Sequence, residues 1–346
     1  MSVGYEASTS TAAAPESPPS TDAPAEQPKR GSKLLGNVLK LTITIAGSAF
    51  VLWQAGLADA LRALASADWR WVAVAAVSAV VAMVINVQRW QVMLRGQGEN
   101  ASLKTLIRLY LIAMFFNNML PSRFAGDVVR AYGASINVTT RTRSMVAVIM
   151  DRLIGAISVL LLGVIAVAIN PSVMPWQLTQ VLVIGLVVGL VVTTLLLVRT
   201  PLHGSARHLL TRFERLPVVG RKLGRRVESA LEAVRAYAGK PGLVAYALLI
   251  SMLANGLSIV NIYLYAVAVG ADINVSQAAV VVPVVLAIGL LPSINGLGTI
   301  ELTFVFLFGL MGVDPEVALA VAILRRLVLL GQSLVGGVLY SARRFG

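Results

Sequence analysis

Charged side chains stand where an apolar chain should not carry them. Met150-Asp151-Arg152-Leu153 and Leu324-Arg325-Arg326-Leu327 each lie well inside a long apolar segment. A charge at the centre of a bilayer costs roughly 2.5–3.5 kcal/mol on insertion scales, so each needs a partner or water. Two chemistries meet that need. Asp151 or Glu301 can neutralise an arginine and hold a helix bundle together, or the guanidinium groups can line a hydrated cavity and grip an anion. Arginine suits phosphate because its planar fork donates two hydrogen bonds at once. The two uses are compatible, since arginines outnumber the carboxylates near them.

Upstream of each charged pair lies a break. Asn117-Asn118-Met119-Leu120-Pro121-Ser122-Arg123-Phe124-Ala125-Gly126-Asp127, continuing to Arg130, interrupts one apolar run. Leu291-Pro292-Ser293-Ile294-Asn295-Gly296-Leu297-Gly298-Thr299-Ile300-Glu301 interrupts another. Both read Leu-Pro-Ser, then small residues, then a carboxylate. Pro121 and Pro292 each remove a backbone donor, and Gly126, Gly296 and Gly298 allow tight turns and close approach. Non-helical backbone at membrane depth is tolerated only against protein or water. A break repeated in corresponding halves of a hydrophobic chain points to a transporter's binding site. The candidate binding residues are Asn117, Pro121, Arg123, Gly126, Asp127 and Arg130 at the first break, with Asp151 and Arg152 behind it. Pro292, Gly296, Gly298 and Glu301 are their counterparts at the second, with Arg325 and Arg326 behind. Freed amides near Asp127 and Thr299 could face an anion.

The elements that must position these residues are apolar helices. The 346-residue chain is 57% hydrophobic and 13% charged, with mean hydropathy +0.79, which is an integral membrane composition. Apolar runs of about twenty residues recur, long enough to cross a hydrocarbon core of ~30 Å. Residues 1–32, rich in Ser, Thr, Ala, Pro and Glu, read as a disordered tail; the membrane domain runs 33–346. Leu34–Trp53 is the first span. Leu57–Asp68 is amphipathic and expected to lie along the interface. Trp69–Trp90 is the second span, anchored by tryptophans. Leu103–Leu120 leads into the first break, with a return through Tyr132. Ser144–Ile169 and Gln177–Val198 follow and close the first half, 33–198. A basic loop, 199–240, precedes the second half, 241–342: Leu243–Val269, the half-length pieces Gln277–Leu291 and Thr299–Met311, and Val317–Tyr340. Asn255, Ser258 and Tyr265 share one helical face of Leu243–Val269, and hydrogen bonding between helices is their expected role.

Lysine and arginine set the orientation. With both termini in the cytoplasm and both broken segments returning to the side they entered, twenty-three Lys and Arg fall inside, those from Arg89 to Arg108 among them. Two, Arg62 and Arg70, fall outside. That is a decisive positive-inside bias. The expectation is an all-α membrane protein of about six transmembrane helices plus two re-entrant hairpins; eight full spans is the alternative. Three spans between the breaks invert the second copy, giving an inverted repeat. The net charge of +13 then marks a cytoplasmic, anionic lipid face, not a nucleic-acid partner. No cysteine is present, and phosphate loops, metal-ligand spacings and catalytic elbows do not occur. No cofactor or catalytic residue is nominated.

At these residues the chain resembles the lysylphosphatidylglycerol synthase transmembrane, or flippase-like, family, which includes the membrane half of the bacterial multiple peptide resistance factor. The resemblance rests on Asn117…Leu120-Pro121-x-Arg123-x2-Gly126-Asp127-x2-Arg130, on Asp151-Arg152-Leu153, on Pro292-x3-Gly296-x-Gly298-x2-Glu301 and on the late arginine. It implies a polytopic protein of the cytoplasmic membrane that moves an anionic phospholipid or a polyprenyl-phosphate-linked group between leaflets. The bifunctional members carry a soluble aminoacyl-transferase domain after the membrane part, and this chain ends at Gly346, so lysyl transfer is not expected of it. A membrane-bound head-group or glycosyl transferase and a non-transporting scaffold for an envelope enzyme are the rival functions. Membrane lipids are the expected partners.

Overall fold

The computed structural model describes residues 56–120, 125–135, 141–169, 239–288 and 296–342, with separate positions within 41–53, 176–188 and 236–237. The tail, half of the span Leu34–Trp53, most of the span Gln177–Val198 and most of the basic loop lie outside the described residues, as do Pro121, Arg123 and Pro292. Among the described residues the chain is helical: α1 (Leu57–Ala65), α2 (Trp69–Gly96), α3 (Leu103–Met119), α4 (Ala125–Ser135), α5 (Arg141–Ile169), α6 (Pro241–Ala268), α7 (Val275–Ile288), α8 (Thr299–Gly309) and α9 (Pro315–Ala342).

Local sequence starts these helices. Asp68 Oδ1 accepts from the Arg70 amide at 2.9 Å to begin α2, and Ser102 Oγ accepts from the Thr105 amide to begin α3. Asn274 and Gln277 cap α7 reciprocally, each side chain accepting from the other's amide. Such side-chain acceptors satisfy amides that the first turn leaves without carbonyl partners. Prolines open α6 and α9 at a position where the missing N–H costs nothing.

Among the described residues four helices, within α2, α5, α6 and α9, are long and apolar enough to cross a membrane; α7 and α8 are apolar but short. Each long one spans 28 residues, about 42 Å at 1.5 Å per residue, so all outrun the hydrocarbon core. The expected spans Trp69–Trp90, Ser144–Ile169, Leu243–Val269 and Val317–Tyr340 are present, with ends shifted by a few residues, except at one place. The expected end at Trp90 is overrun, and α2 continues to Gly96. Arg89, counted above among cytoplasmic loop charges, is therefore inside a helix and buried. Val87, Trp90, Met93 and Leu94 keep the apolar face going past it, all at 0% exposure. The amphipathic α1 packs against α9, with Ala60 fully buried.

Helices α2 and α6 run antiparallel and form the most extensive helix pair among the described residues. The Asp68 amide at the start of α2 donates to Ala268 O at the end of α6 (2.8 Å), and Lys240 Nζ before α6 donates to Gly96 O at the end of α2 (2.8 Å). Glu99, just before α3, takes the Arg143 guanidinium from the first turn of α5 at 3.5 Å, so the entry to α3 and the start of α5 meet. Around the α2–α6 pair, α5 packs on α7 and α9 packs on α3. One apolar core joins α2, α3, α5 and the start of α6. A second joins the far end of α6 to α7, α8 and α9. Helix α9 crosses α3 closely enough that a Cβ on Gly336 would meet Leu111 O at 1.9 Å.

Candidate functional site

Helices α3 and α4 flank the first break. Gly126, in the first turn of α4, approaches α3 so closely that a Cβ there would lie 2.4 Å from Ala113 O. Its amide donates to Asn117 Oδ1 at 2.7 Å. The next residue, Asp127, is clasped by Arg152 of α5, with Nε 3.0 Å from Oδ2 and Nη2 3.0 Å from Oδ1. At the second break the pattern recurs. Gly296 and Gly298 take positive φ, 73° and 78°, the left-handed region that favours glycine. Glu301 of α8 accepts from the Gly298 amide through Oε2 (2.8 Å) and from Arg326 Nε of α9 through Oε1 (2.6 Å). In both copies the carboxylate is the third residue of the half-helix after the break. In both, the arginine follows it by 25 residues. This register makes Arg326, not Arg325, the counterpart of Arg152 and aligns Arg325 with Asp151.

The adjacent charges in the first copy part company. Arg152 leaves 54% of its side chain exposed, while Asp151 is 2% exposed. Asp151 Oδ1 accepts from Arg89 Nε of α2 and Oδ2 from Arg130 Nη2 of α4, both at 2.7 Å. Arg130 also approaches Asp127, at 3.8 Å, and its guanidinium lies 4.5 Å from the Trp90 ring centroid and 5.1 Å from that of Tyr110. Arg89 Nη1 continues to Ser251 Oγ of α6 (2.6 Å). Ser251 meets Ser158 of α5 (2.6 Å), which accepts from Asn255 Nδ2 (2.5 Å). One connected polar chain thus ties α4, α5, α2 and α6 in an otherwise apolar bundle.

The expected neutralisation of arginines by Asp151 and Glu301 is present, and so is the interhelical role of Asn255. Ser258 instead bonds back to Ala254 O. The amides of Gly126 and Gly298, which could have faced an anion, are taken by Asn117 and Glu301. Arg325 lies within electrostatic reach of Tyr265. The site residues that sequence reasoning passed over are Arg89, Ser158 and Ser251. For Arg89 a signal existed in the apolar period running on to Leu94. Nothing local distinguishes Ser158 or Ser251 from other small helix residues.

The sequence profile described as the lysylphosphatidylglycerol synthase TM region matches residues 37–336. A UPF0104 membrane protein of Methanothermobacter thermautotrophicus is 27% identical over 303 residues, which cover 83% of this chain and 88% of that one. A UPF0104 membrane protein of Pyrococcus horikoshii is 25% identical, covering 85% and 93%. One of Methanocaldococcus jannaschii is 21% identical, covering 86% and 91%. Together with the four long apolar helices, these matches mark a multi-pass membrane protein.

Proposed function

The chain belongs to the lysylphosphatidylglycerol synthase transmembrane family, and from that premise we propose that it moves an anionic phospholipid or polyprenyl-phosphate-linked group between the leaflets of the cytoplasmic membrane. The observation that carries the proposal is the pair of matched clasps, Asp127–Arg152 and Glu301–Arg326, one behind each break. Each arginine is the twelfth residue of its long helix, about 16 Å from the helix start at 1.5 Å per residue. Both therefore sit at hydrocarbon depth, where a guanidinium is expensive unless it has work to do. Arg152 and Arg326 each give Nε and Nη2 to the carboxylate. The remaining edge of each fork is the group that a phosphate oxygen would take.

In this proposal the α3–α4 and α7–α8 pairs are re-entrant hairpins of an inverted repeat, and the α2–α6 pair lies between them. The contact between Glu99 and Arg143 supports the first hairpin. The reciprocal packing of α5 on α7 and α9 on α3 supports the exchange of halves. The lysine and arginine distribution puts the tail 1–32, the basic loop 199–240 and both termini in the cytoplasm. Arg152 and Arg326 bind the head-group phosphate, Asp127 and Glu301 hold them in place, and Asp151 with Arg89 and Arg130 fixes α4 against the bundle.

The test is leaflet sidedness. Wild type, Arg152→Ala and Arg326→Ala go into liposomes with a fluorescent anionic phospholipid, and an impermeant quencher reports the inner-leaflet fraction. Wild type should expose the protected label and each variant should slow that exposure at least tenfold. Equal rates in wild type, variants and empty liposomes would end the proposal.

A further inference from the structure

On the transport reading given above, which supplies the ligand, we propose that Asp127 is an exchangeable counter-ion. It passes from Arg152 to Arg130 when a phosphodiester head group takes Arg152, and this makes the first clasp the loading site. The two clasps differ in the way such a role requires. Arg152 leaves 54% of its side chain exposed and Arg326 only 21%, although the carboxylates they hold are alike at 13% and 12%.

Charge balance lets the first clasp open. Behind Arg152 lie two arginines, Arg89 and Arg130, and two carboxylates, Asp127 and Asp151, linked by contacts of 2.7–3.8 Å. Those four are neutral without Arg152. Asp127 Oδ1 already lies 3.8 Å from Arg130 Nη1, and a shift of about 1 Å would bring the contact to the length of a charge-assisted hydrogen bond. The two residues are three apart on α4, neighbouring positions on one helix face. Arg130 stays in place to receive the carboxylate: Nη2 is held by Asp151 at 2.7 Å, and the guanidinium packs on the rings of Trp90 and Tyr110. Phosphate oxygens that displace Asp127 from Arg152 therefore do not strand a carboxylate, which is the costly outcome for an enclosed ion pair.

The second clasp has no such outlet. The residue three on from Glu301 is Phe304, fully buried, and α8 contains no arginine. The other oxygen of Glu301 is tied to the Gly298 amide at 2.8 Å. The backbone of Gly298 is itself closely covered, since a Cβ on Gly47 of the first span would lie 3.2 Å from Gly298 C. Opening Arg326 leaves Glu301 without a replacement on its own helix, so the head group meets Arg152 first and Arg326 later in its passage.

The probe is dioctanoyl phosphatidylglycerol, titrated into the full chain in a non-ionic detergent, with dioctanoyl phosphatidylcholine as the control. The readout is melting temperature, which a ligand of the folded state raises. Wild type should show a saturable rise with phosphatidylglycerol alone. Arg152→Ala should abolish that rise, and Arg326→Ala should retain a saturable one. Arg130→Lys keeps a charge for Asp151 but lacks the fork that spans both carboxylates. It should raise the half-saturating lipid concentration about tenfold or more, the loss expected of one hydrogen bond to a charged group. A merely structural Arg130 would lower the melting temperature without lipid and leave that concentration unmoved. Where Arg130→Lys does not fold, the contrast between Arg152→Ala and Arg326→Ala decides. The proposal is overturned by no rise in wild type, by loss of the rise in both alanine variants, or by a wild-type half-saturating concentration in folded Arg130→Lys. The expected binding pattern without translocation in liposomes would leave the loading site standing and end the transport reading; translocation with that pattern absent would do the reverse.

Discussion

Arg89 and Asp151 stand 62 residues apart in the chain and 2.7 Å apart in the fold. That single contact joins α2 to α5, and through the other oxygen of Asp151 it reaches Arg130 and α4. It explains how an aspartate can sit 2% exposed in an apolar bundle: both oxygens are held by guanidiniums, and Gly155 leaves room for Arg89 to pass, a Cβ there falling 3.2 Å from its Nη1.

Removing one partner from such a pair leaves a buried, uncompensated charge. Arg89→Ala should therefore lower unfolding stability in detergent by about 3–5 kcal/mol, the range for broken buried ion pairs. Combining it with Asp151→Ala should cost less than the two single losses added together, because the stranded charge is gone. Denaturant titration of the three variants checks this, and strict additivity would contradict the pairing.

Arg152 predicts the opposite balance. In the transport proposal its half-exposed side chain faces the hydrated path, and solvated ion pairs contribute about 0–1 kcal/mol. Arg152→Ala should melt within about 1 kcal/mol of wild type while losing lipid translocation. Arg152→Lys should restore little of it, since an ammonium cannot hold Asp127 and a phosphate with one planar fork. Parallel melting and sidedness measurements separate the two effects.

Close helix crossings give a third test. Gly126 and Gly336 face backbone oxygens, Ala113 O and Leu111 O, at distances that admit no Cβ. Gly126→Val and Gly336→Leu should each destabilise by about 1–3 kcal/mol or more through overpacking. Gly256, which has no neighbouring atom within 4 Å of its added Cβ, should accept alanine with little change. Thermal scans of the three purified variants decide it.

A chain without cysteine suits accessibility mapping. Single cysteines at Asn100 and Thr142 flank the first half-helix pair, and ones at Asp272 and Asp314 flank the second. The inverted arrangement predicts that an impermeant maleimide labels the first two from the cytoplasmic side and the last two from the outside. Labelling of Asn100 and Thr142 from opposite sides would mean that the first segment crosses fully.

Much of this was legible before any coordinates. The two breaks, the half-length pieces and the long charged helices follow from apolar run length and from Pro and Gly in polar clusters. The carboxylate–arginine clasps were half legible: the charges announced themselves, but their partners did not. Asp151 and Arg152 are neighbours in the chain and face different ways because adjacent residues on a helix lie about 100° apart. Arg89 was hidden by its position beside Trp90, where an arginine next to an interfacial aromatic imitates the end of a span. The choice between Arg325 and Arg326 depended on the common 25-residue offset, which the differing lengths of the two breaks obscure when counting starts from Pro121 and Pro292.

The most direct measurement removes the charge of one clasp without removing its shape. In Asp127→Asn with Arg152→Gln the two amides can still bond to each other, so α4 and α5 stay joined while the guanidinium is gone. The doubly substituted protein, reconstituted beside wild type, is assayed for exposure of a labelled anionic phospholipid, with melting followed in parallel. The transport proposal predicts near-native melting and translocation no faster than in empty liposomes. Translocation at the wild-type rate would contradict it and leave the clasp a purely structural tie.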